Sequence, residues 1–252
     1  MECKPVYCAG TTPALTYTIQ YLKRHNISIA DYPQWDTGHL LLDVPSFRPG
    51  SILADMKHLD TLLAALPSSV TVWGGNLNHP SLEGLRQVDL LKDENYLAEN
   101  AAITAHCAVQ IAAPMIPCTF QNLPVLIIGW GRIGKCLAQL LKRMGADVTV
   151  AARCPAHRAA LESLGYLAAD CCDLEAVLPK FRLIFNTVPE LIIPKSINTC
   201  CPDCIKIDLA SQKGIDGDDV VWARGLPGIH APESSGILIG KTFLKHFREV
   251  EK

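Results

Sequence analysis

No apolar run in this chain approaches the length of a membrane span, and neither sign of charge accumulates. The 23 Lys and Arg against 25 Asp and Glu leave a formal net charge of −2, and aromatics make up only 6% of residues. No basic cluster with interleaved aromatics exists, so neither nucleic-acid binding nor a membrane surface is expected. A secretory signal is also missing: Lys4 and Pro5 precede only a short apolar patch, and a cytoplasmic location is expected. Eleven cysteines are present. Cys171-Cys172 and Cys200-Cys201-Pro202-Asp203-Cys204 are the clusters, the latter holding a C-x-x-C, but no second C-x-x-C stands at zinc-ribbon spacing. No metal is therefore expected, and buried cysteine serves as a small hydrophobe. A phosphate loop is lacking too. Gly236 to Thr242 resembles one, but it is a residue short and follows no strand.

What is present is an ordinary globular composition, 49% apolar and 19% charged over 252 residues, enough for one large or two modest domains. The most informative stretch is Val125-Leu126-Ile127-Ile128-Gly129-Trp130-Gly131-Arg132-Ile133-Gly134, a buried-strand run opening into a G-x-G-x-x-G turn. A helical run from Lys135 to Met144 and an apolar strand from Asp147 to Ala152 follow. In that context Gly129 permits the tight turn, Gly131 lets backbone approach a pyrophosphate, and Gly134 lets helix pack on strand. The N–H groups of Trp130, Arg132 and Ile133 would then face the anion at a helix N-terminus.

An NAD site usually places an acid about 20 residues past the first glycine, to hold the ribose 2′-hydroxyl. Here the window reads Thr149-Val150-Ala151-Ala152-Arg153-Cys154-Pro155-Ala156-His157-Arg158, with no acid. Arg153 and Arg158 are expected to grip a 2′-phosphate instead, which favours NADP over NAD.

Before the fingerprint, residues 4–92 read as alternating strands and helices: strands at Lys4 to Ala9, Ile27 to Ala30, His39 to Val44, Ser69 to Trp73 and Gln87 to Leu91, and a helix at Pro13 to Arg24. Gly74-Gly75 makes a sharp loop at a strand end, with Asn76, Asn78 and His79 in it; ligand contact and plain turn chemistry are both open readings. Asp93 to Ala113 is an alanine-rich helix joining two lobes, ended by Pro114 and Pro117. After the fingerprint come a helix at Ala156 to Leu164 and strands at Leu183 to Val188 and Ile205 to Leu209. Ser234 to Glu249 is a terminal helix, capped by Ser234 or Ser235, that packs back on the first lobe. The expected organisation is an α/β protein in two lobes: residues 1–113 a flavodoxin-like substrate lobe, 114–230 a doubly wound Rossmann lobe, and 231–252 the returning helix.

Several motifs together resemble the A subunits of dipicolinate synthase. They are Val72-Trp73-Gly74-Gly75-Asn76, Asp93-Glu94-Asn95 leading into Asn100 to Ala105, Leu126 to Gly134, Val148 to Arg153, Ile184-Phe185-Asn186-Thr187-Val188-Pro189, Ile207-Asp208-Leu209-Ala210-Ser211, and Gly225 to Gly228 followed by Ala231-Pro232. The resemblance implies a layout like that of 2-hydroxy-acid dehydrogenases, with an NADP-binding Rossmann lobe. It implies dehydration and oxidation of 4-hydroxy-tetrahydrodipicolinate to dipicolinate, the pyridine dicarboxylate of spores. It also implies a partner, the flavoprotein-like B subunit. A homo-oligomer is expected as well. The chain departs from the pattern at Ala9-Gly10-Thr11-Thr12-Pro13, at Gln212-Lys213-Gly214 and at Ile229-His230, where a dicarboxylate would be held.

Candidate roles follow. Thr187, Val188 and Pro189 would border the nicotinamide ribose, with Asp208, Leu209 and Ala210 on the same ligand edge, although Asp208 suits a cap equally. His230, in a Gly/Pro-rich loop before the terminal helix, is the acid/base candidate because imidazole titrates near neutrality. Gly75, Asn76, Ser211, Lys213 and Ser234 are the substrate-contact candidates, with Arg224 a further cation for a dicarboxylate. Two alternatives stay open: an NAD(P)-dependent dehydrogenase of another small acid, and a non-catalytic nucleotide-binding scaffold.

Overall fold

The computed structural model describes residues 4–47 and 56–250. Its strands are β1 Val6–Ala9, β2 Ile29–Ala30, β3 His39–Leu42, β4 Thr71–Gly74, β5 Arg86–Asp89, β6 Pro124–Ile128, β7 Asp147–Ala151, β8 Leu167–Ala169, β9 Leu183–Asn186, β10 Ile205–Asp208 and β11 Val220–Trp222. The helices are α1 Pro13–Arg24, α2 Met56–Ala64, α3 Glu94–Ala112, α4 Arg132–Arg143, α5 Pro155–Ser163, α6 Leu174–Val177, α7 Leu226–His230 and α8 Pro232–Val250. Two compact units divide the chain, Met1–Asn100 with Pro227–Lys252, and Ala101–Leu226. The boundaries expected from the sequence are 113/114 and 230/231; the chain crosses instead within α3 and again at the start of α7. No helix among the described residues is long and apolar enough to cross a membrane.

The first unit is an all-parallel sheet in the order β2-β1-β3-β4-β5, the flavodoxin-like arrangement. Leu40, Leu41 and Leu42 of β3 are fully buried, as a strand covered on both faces requires. On one face Leu40, Leu42 and Val72 pack with Leu59 of α2 and Leu82. On the other, Trp73 meets Phe243 of α8 at 4.6 Å between ring centres, and His39 meets Phe247 at 4.8 Å. Trp73 Nε1 donates to His39 Nδ1 at 3.2 Å, so the indole dipole is satisfied inside the core.

Helix α8 packs on α1 as the sequence suggested, and the device that permits it is the false phosphate loop. A Cβ on Gly236 would strike the Ala14 carbonyl and Tyr17, and one on Gly240 would strike Tyr21. The glycines, four apart, share one helix face and let the two backbones approach closely. Thr18 Oγ1 then donates across the gap to the Gly236 carbonyl at 3.0 Å. The helix begins at Pro232, earlier than expected, so Ser234 and Ser235 lie inside its first turns and neither is its cap. The Ser235 N–H already donates to the Ala231 carbonyl at 3.0 Å.

Asp93 lies just outside α3 and caps it. Its carboxylate accepts the N–H groups of Asn95 at 2.8 Å and Tyr96 at 2.9 Å. It also accepts Lys245 Nζ and His246 Nε2 from α8, each at 2.7 Å. Burial opposes the charge, but these donors outweigh it and hold the carboxyl well below the usual carboxylate range. The Asp93-Glu94-Asn95 motif therefore ties the terminal helix to the start of α3.

The second unit is a parallel six-stranded sheet, β11-β10-β9-β6-β7-β8. Numbered within the unit this is the 3-2-1-4-5-6 order of dinucleotide-binding sheets, read from its far edge, with its topological switch between β6 and β9. Its core packs Leu126, Ile128, Ile184 and Ala151 against Leu174, Leu178 and Ile193. Strands β9 and β10 end at Asn186 and Asp208, shorter than the sequence suggested, although the next N–H groups, those of Thr187 and Leu209, still reach the Ile128 and Asn186 carbonyls of the neighbouring strands. Edge strands β8 and β11 were not expected; each is three residues long.

Candidate dinucleotide site

The fingerprint turn sits at the C-terminal end of β6, beside the end of β9. Gly129 has φ of +104°, a conformation glycine adopts without steric cost. A Cβ there would press on the Thr187 hydroxyl and Val188, and one on Gly134 would strike the Gly129 carbonyl. Thr187 clasps the switch point: its N–H and its Oγ1 both reach the Ile128 carbonyl, each at 2.9 Å. Gly131 is different. Its φ of −82° suits any residue, and a Cβ there would meet nothing within 4 Å. It is the N-cap of α4, where no side chain caps the helix, with Arg132 and Ile133 opening the first turn. The turn therefore leaves room beside the positive end of a helix, the setting that accepts a pyrophosphate. Trp130 forms one wall, edge-on to Tyr166 at 5.9 Å with Lys135 Nζ 5.7 Å over its ring.

At the end of β7 the two expected arginines part. Arg153 is exposed, its side chain 84% accessible, with only a 3.8 Å approach to the exposed Glu190. Arg158 is turned into the loop: Nη1 donates to the carbonyls of Ala152 at 2.8 Å and Arg153 at 2.9 Å, and Nη2 meets Asp170 at 2.7 Å. The Cys172 N–H and the Arg158 charge hold Asp170 below its ordinary carboxyl value. Arg158 thus fixes the backbone that carries Arg153, and of the two Arg153 alone presents its guanidinium to solvent.

The ends of β9 and β10 are joined by a network the sequence did not show. Asn186 and Asp208 are register partners on neighbouring strands, both fully buried. Asn186 Nδ2 donates to Asp208 Oδ1 at 2.9 Å. The same amide also brackets Val188, donating to its carbonyl and accepting its N–H, both at 3.0 Å. Asp208 Oδ1 accepts the Ala210 N–H at 3.0 Å, while Oδ2 accepts those of Gly214 at 2.6 Å and Ile215 at 3.1 Å. Four N–H donors satisfy this buried carboxylate, as such burial requires. Asp208 therefore works as the organiser of this edge, holding Leu209, Ala210 and Ser211 on one side and Thr187, Val188 and Pro189 on the other. Lys213 Nζ bonds the Gly217 carbonyl at 3.0 Å, and Arg224 stacks over Trp222 at 5.3 Å.

In the first unit the switch point lies between β1 and β3. Asp43, 3% exposed, accepts the Thr11 N–H at 3.0 Å and the Thr12 hydroxyl, while Gly10 packs flat on its carboxylate. Sequence reasoning missed Asp43, although it ends an apolar strand and faces the Ala9-Gly10-Thr11-Thr12 turn. Gly75 is buried with both backbone groups on Ser46, at 2.8 and 3.0 Å. Asn76 is exposed, its N–H on Asp89 at 3.1 Å. Turn chemistry accounts for His79, whose ring accepts the Ser81 N–H at 3.2 Å. His230 is exposed in the last turn of α7 rather than in a loop, and Ser234 is exposed on α8.

Residues 98–196 match the NAD binding domain of the D-isomer specific 2-hydroxyacid dehydrogenases. The chain is 24% identical over 220 residues to the A subunit of dipicolinate synthase from Bacillus subtilis (strain 168), covering 81% of this chain and 72% of that protein. Among solved structures, the dipicolinate synthase A subunit from Bacillus halodurans superposes with a TM-score of 0.80 at 20% identity, over 96% of this chain and 97% of that one. Its Bacillus subtilis counterpart gives the same score and identity over 100% and 98%. The likeness to dipicolinate synthase carried by the sequence motifs thus extends over most of the chain and over its fold. The second unit carries the nicotinamide-dinucleotide domain of an oxidoreductase.

Proposed function

We propose that this chain is an NADP-dependent oxidoreductase of the dipicolinate synthase type, which dehydrates 4-hydroxy-tetrahydrodipicolinate and oxidises the product to dipicolinate. The observation that carries the reading is the sequence likeness to the A subunit of that enzyme, which spans 81% of the chain. The room at Gly131 beside the α4 N-terminus supports the dinucleotide, since the fold itself asks for no glycine there. The exposed Arg153 at the end of β7, where an NAD site places an acid, supports NADP.

When bound, the nicotinamide supplies a hydride acceptor. The chain's own residues bind and orient. Backbone N–H groups of Arg132 and Ile133 receive the pyrophosphate, and Arg153 meets the 2′-phosphate from a backbone braced by Arg158. Thr187 to Pro189 and Leu209-Ala210, preset by Asn186 and Asp208, rim the nicotinamide ribose. Ser211 and Lys213 follow on that edge and suit a substrate carboxylate. His230 is the side chain assigned to proton transfer, because dehydration needs a group that both gives and takes a proton near neutrality. Loss of water, then of a hydride to the nicotinamide and a proton to a base, leaves an aromatic ring, so orientation and proton handling suffice for the protein's part. The unit of Met1–Asn100 with Pro227–Lys252 serves the substrate, and that of Ala101–Leu226 the cofactor. A second, flavoprotein-like subunit, self-association and a cytoplasmic, sporulation-linked role complete the reading.

The test offers the purified protein freshly generated 4-hydroxy-tetrahydrodipicolinate with NADP or NAD, following nicotinamide reduction and pyridine absorbance together. Both signals are expected to rise, faster with NADP. Tight NADP binding without turnover of this substrate would overturn the reading.

A further inference from the structure

Strand β11 is the outermost of the second sheet on this side, and its parallel register with β10 sets Trp222 opposite Asp208. Its end therefore lies on the same C-terminal edge as the loops after β9 and β10, where open α/β sheets take their ligands. Trp222 is 45% exposed there, so burial does not account for a tryptophan at that place. The ring is held by its dipole instead. Its indole N–H donates to the Ala210 carbonyl at 3.1 Å, and the next residue, Ala223, donates its N–H to the Asp208 carbonyl at 2.8 Å. The ring so fixed carries Arg224, whose guanidinium carbon lies 5.3 Å from the ring centre. A contact of this kind engages the face of the guanidinium and leaves the N–H fork on its edge open to a planar anion. Arg224 is exposed, and no carboxylate among the described residues pairs with it. The cations of the neighbouring strand and its loop are engaged: Lys206 is buried against Asp219 at 2.5 Å, and Lys213 Nζ donates to the Gly217 carbonyl at 3.0 Å.

We propose that Arg224, carried on Trp222, is the residue by which the site selects a substrate with two carboxylates. The proposal rests on the dicarboxylate reading given above and assigns the second anchor which that reading needs. Ser211 and Lys213, on the loop after β10, serve one carboxylate. Arg224, just past the end of β11, takes the other through a bidentate pair of edge N–H groups. Trp222 is a positioning residue. Because its indole is bonded to Ala210, the guanidinium is tied to the loop that also carries Ser211, and the protein fixes it before the ligand arrives. A small acid with one carboxylate leaves one of the two anchors without a partner, so the pair Trp222–Arg224 favours the cyclic dicarboxylate over such acids.

The whole protein, saturated with NADPH in metal-free buffer, is titrated by calorimetry with dipicolinate and with picolinate, which keeps one carboxylate on the same ring. Wild type is expected to bind dipicolinate at least about tenfold more tightly than picolinate. Arg224→Gln should bring the two within about twofold of each other while leaving the Kd for NADPH unchanged, and Arg224→Lys should recover part of the preference. Trp222→Leu should also lower the preference with Arg224 still present. Trp222→Phe should restore some of it, since a phenyl ring returns the platform without the bond to Ala210. A preference that survives in Arg224→Gln, even with both ligands weakened, would overturn the assignment and leave the proposed function standing. Full preference in Trp222→Leu would overturn the part given to Trp222. A wild-type protein that does not favour dipicolinate would overturn the assignment and the dicarboxylate reading together.

Discussion

Replacing Asp208 with asparagine should unfasten the edge of the second unit where β9 and β10 end. The carboxylate is fully buried and each oxygen accepts two N–H groups: Oδ1 from Asn186 and Ala210, Oδ2 from Gly214 and Ile215. An asparagine keeps the shape but turns one acceptor into a donor, so two buried N–H groups face another N–H whichever way the amide points. An unsatisfied buried donor costs about 1–3 kcal/mol, and relief from burying a charge returns part of that, leaving a net loss of roughly 2–4 kcal/mol. For a unit of this size that corresponds to a fall in Tm of about 6–15 °C. Scanning calorimetry reads the transition, and hydrogen exchange locates the damage. Amides of Ala210, Gly214 and Ile215 should exchange faster, while those of β6 and β7 should not. A Tm within about 2 °C of wild type, or uniform exchange changes, would refute the network.

Gly131→Val should cost no more than about 1 kcal/mol, the loss of glycine at an N-cap, because nothing lies within 4 Å of where its Cβ would go, yet weaken NADP binding at least about tenfold if the pyrophosphate sits there as proposed. Gly134→Val should instead lower Tm by driving into the Gly129 carbonyl, and calorimetry with dinucleotide titration separates the two. Arg153→Ala should raise the Kd for NADP about tenfold or more and leave that for NAD within about twofold, since only the former carries a 2′-phosphate. For Asp93→Ala, loss of the cap should cost about 1–2 kcal/mol near neutral pH. Because the folded carboxyl titrates below its ordinary 3.8, that stabilisation is complete above this value and is lost as pH falls through it and on through the folded value. The Tm gap between wild type and variant should therefore close in acid; a gap independent of pH would contradict the charged cap.

The fingerprint region was legible because strand, turn and helix there obey local rules: Gly129 takes a positive φ, and the apolar run of β6 is buried on both faces. Strands β8 and β11 were not, because three-residue edge strands with partly exposed side chains carry too short a period to read. The start of α8 was misplaced by giving weight to Ser234 and Ser235 over Pro232, whose ring suits the first helical position. Gly236 and Gly240 looked like a nucleotide motif in sequence; only the neighbouring α1 shows why they are glycine. Arg153 and Arg158 are alike in sequence and unlike in structure, because Asp170, supplied by the end of the next strand, draws Arg158 away. The Asn186–Asp208 pair is a contact between strands separated by a whole crossover. A signal did exist: Ile184-Phe185-Asn186 and Lys206-Ile207-Asp208 align as parallel neighbours, with amide and acid in register.

The most direct measurement is the stoichiometry of turnover in one cuvette, counting pyridine dicarboxylate formed per NADP reduced when the cyclic hydroxylated dicarboxylate is supplied. The account predicts one for one, with NADP preferred over NAD and both signals slowed together in Gly131→Val. Reduction of the dinucleotide by a small 2-hydroxy acid, with no pyridine formed from the cyclic substrate, would contradict it.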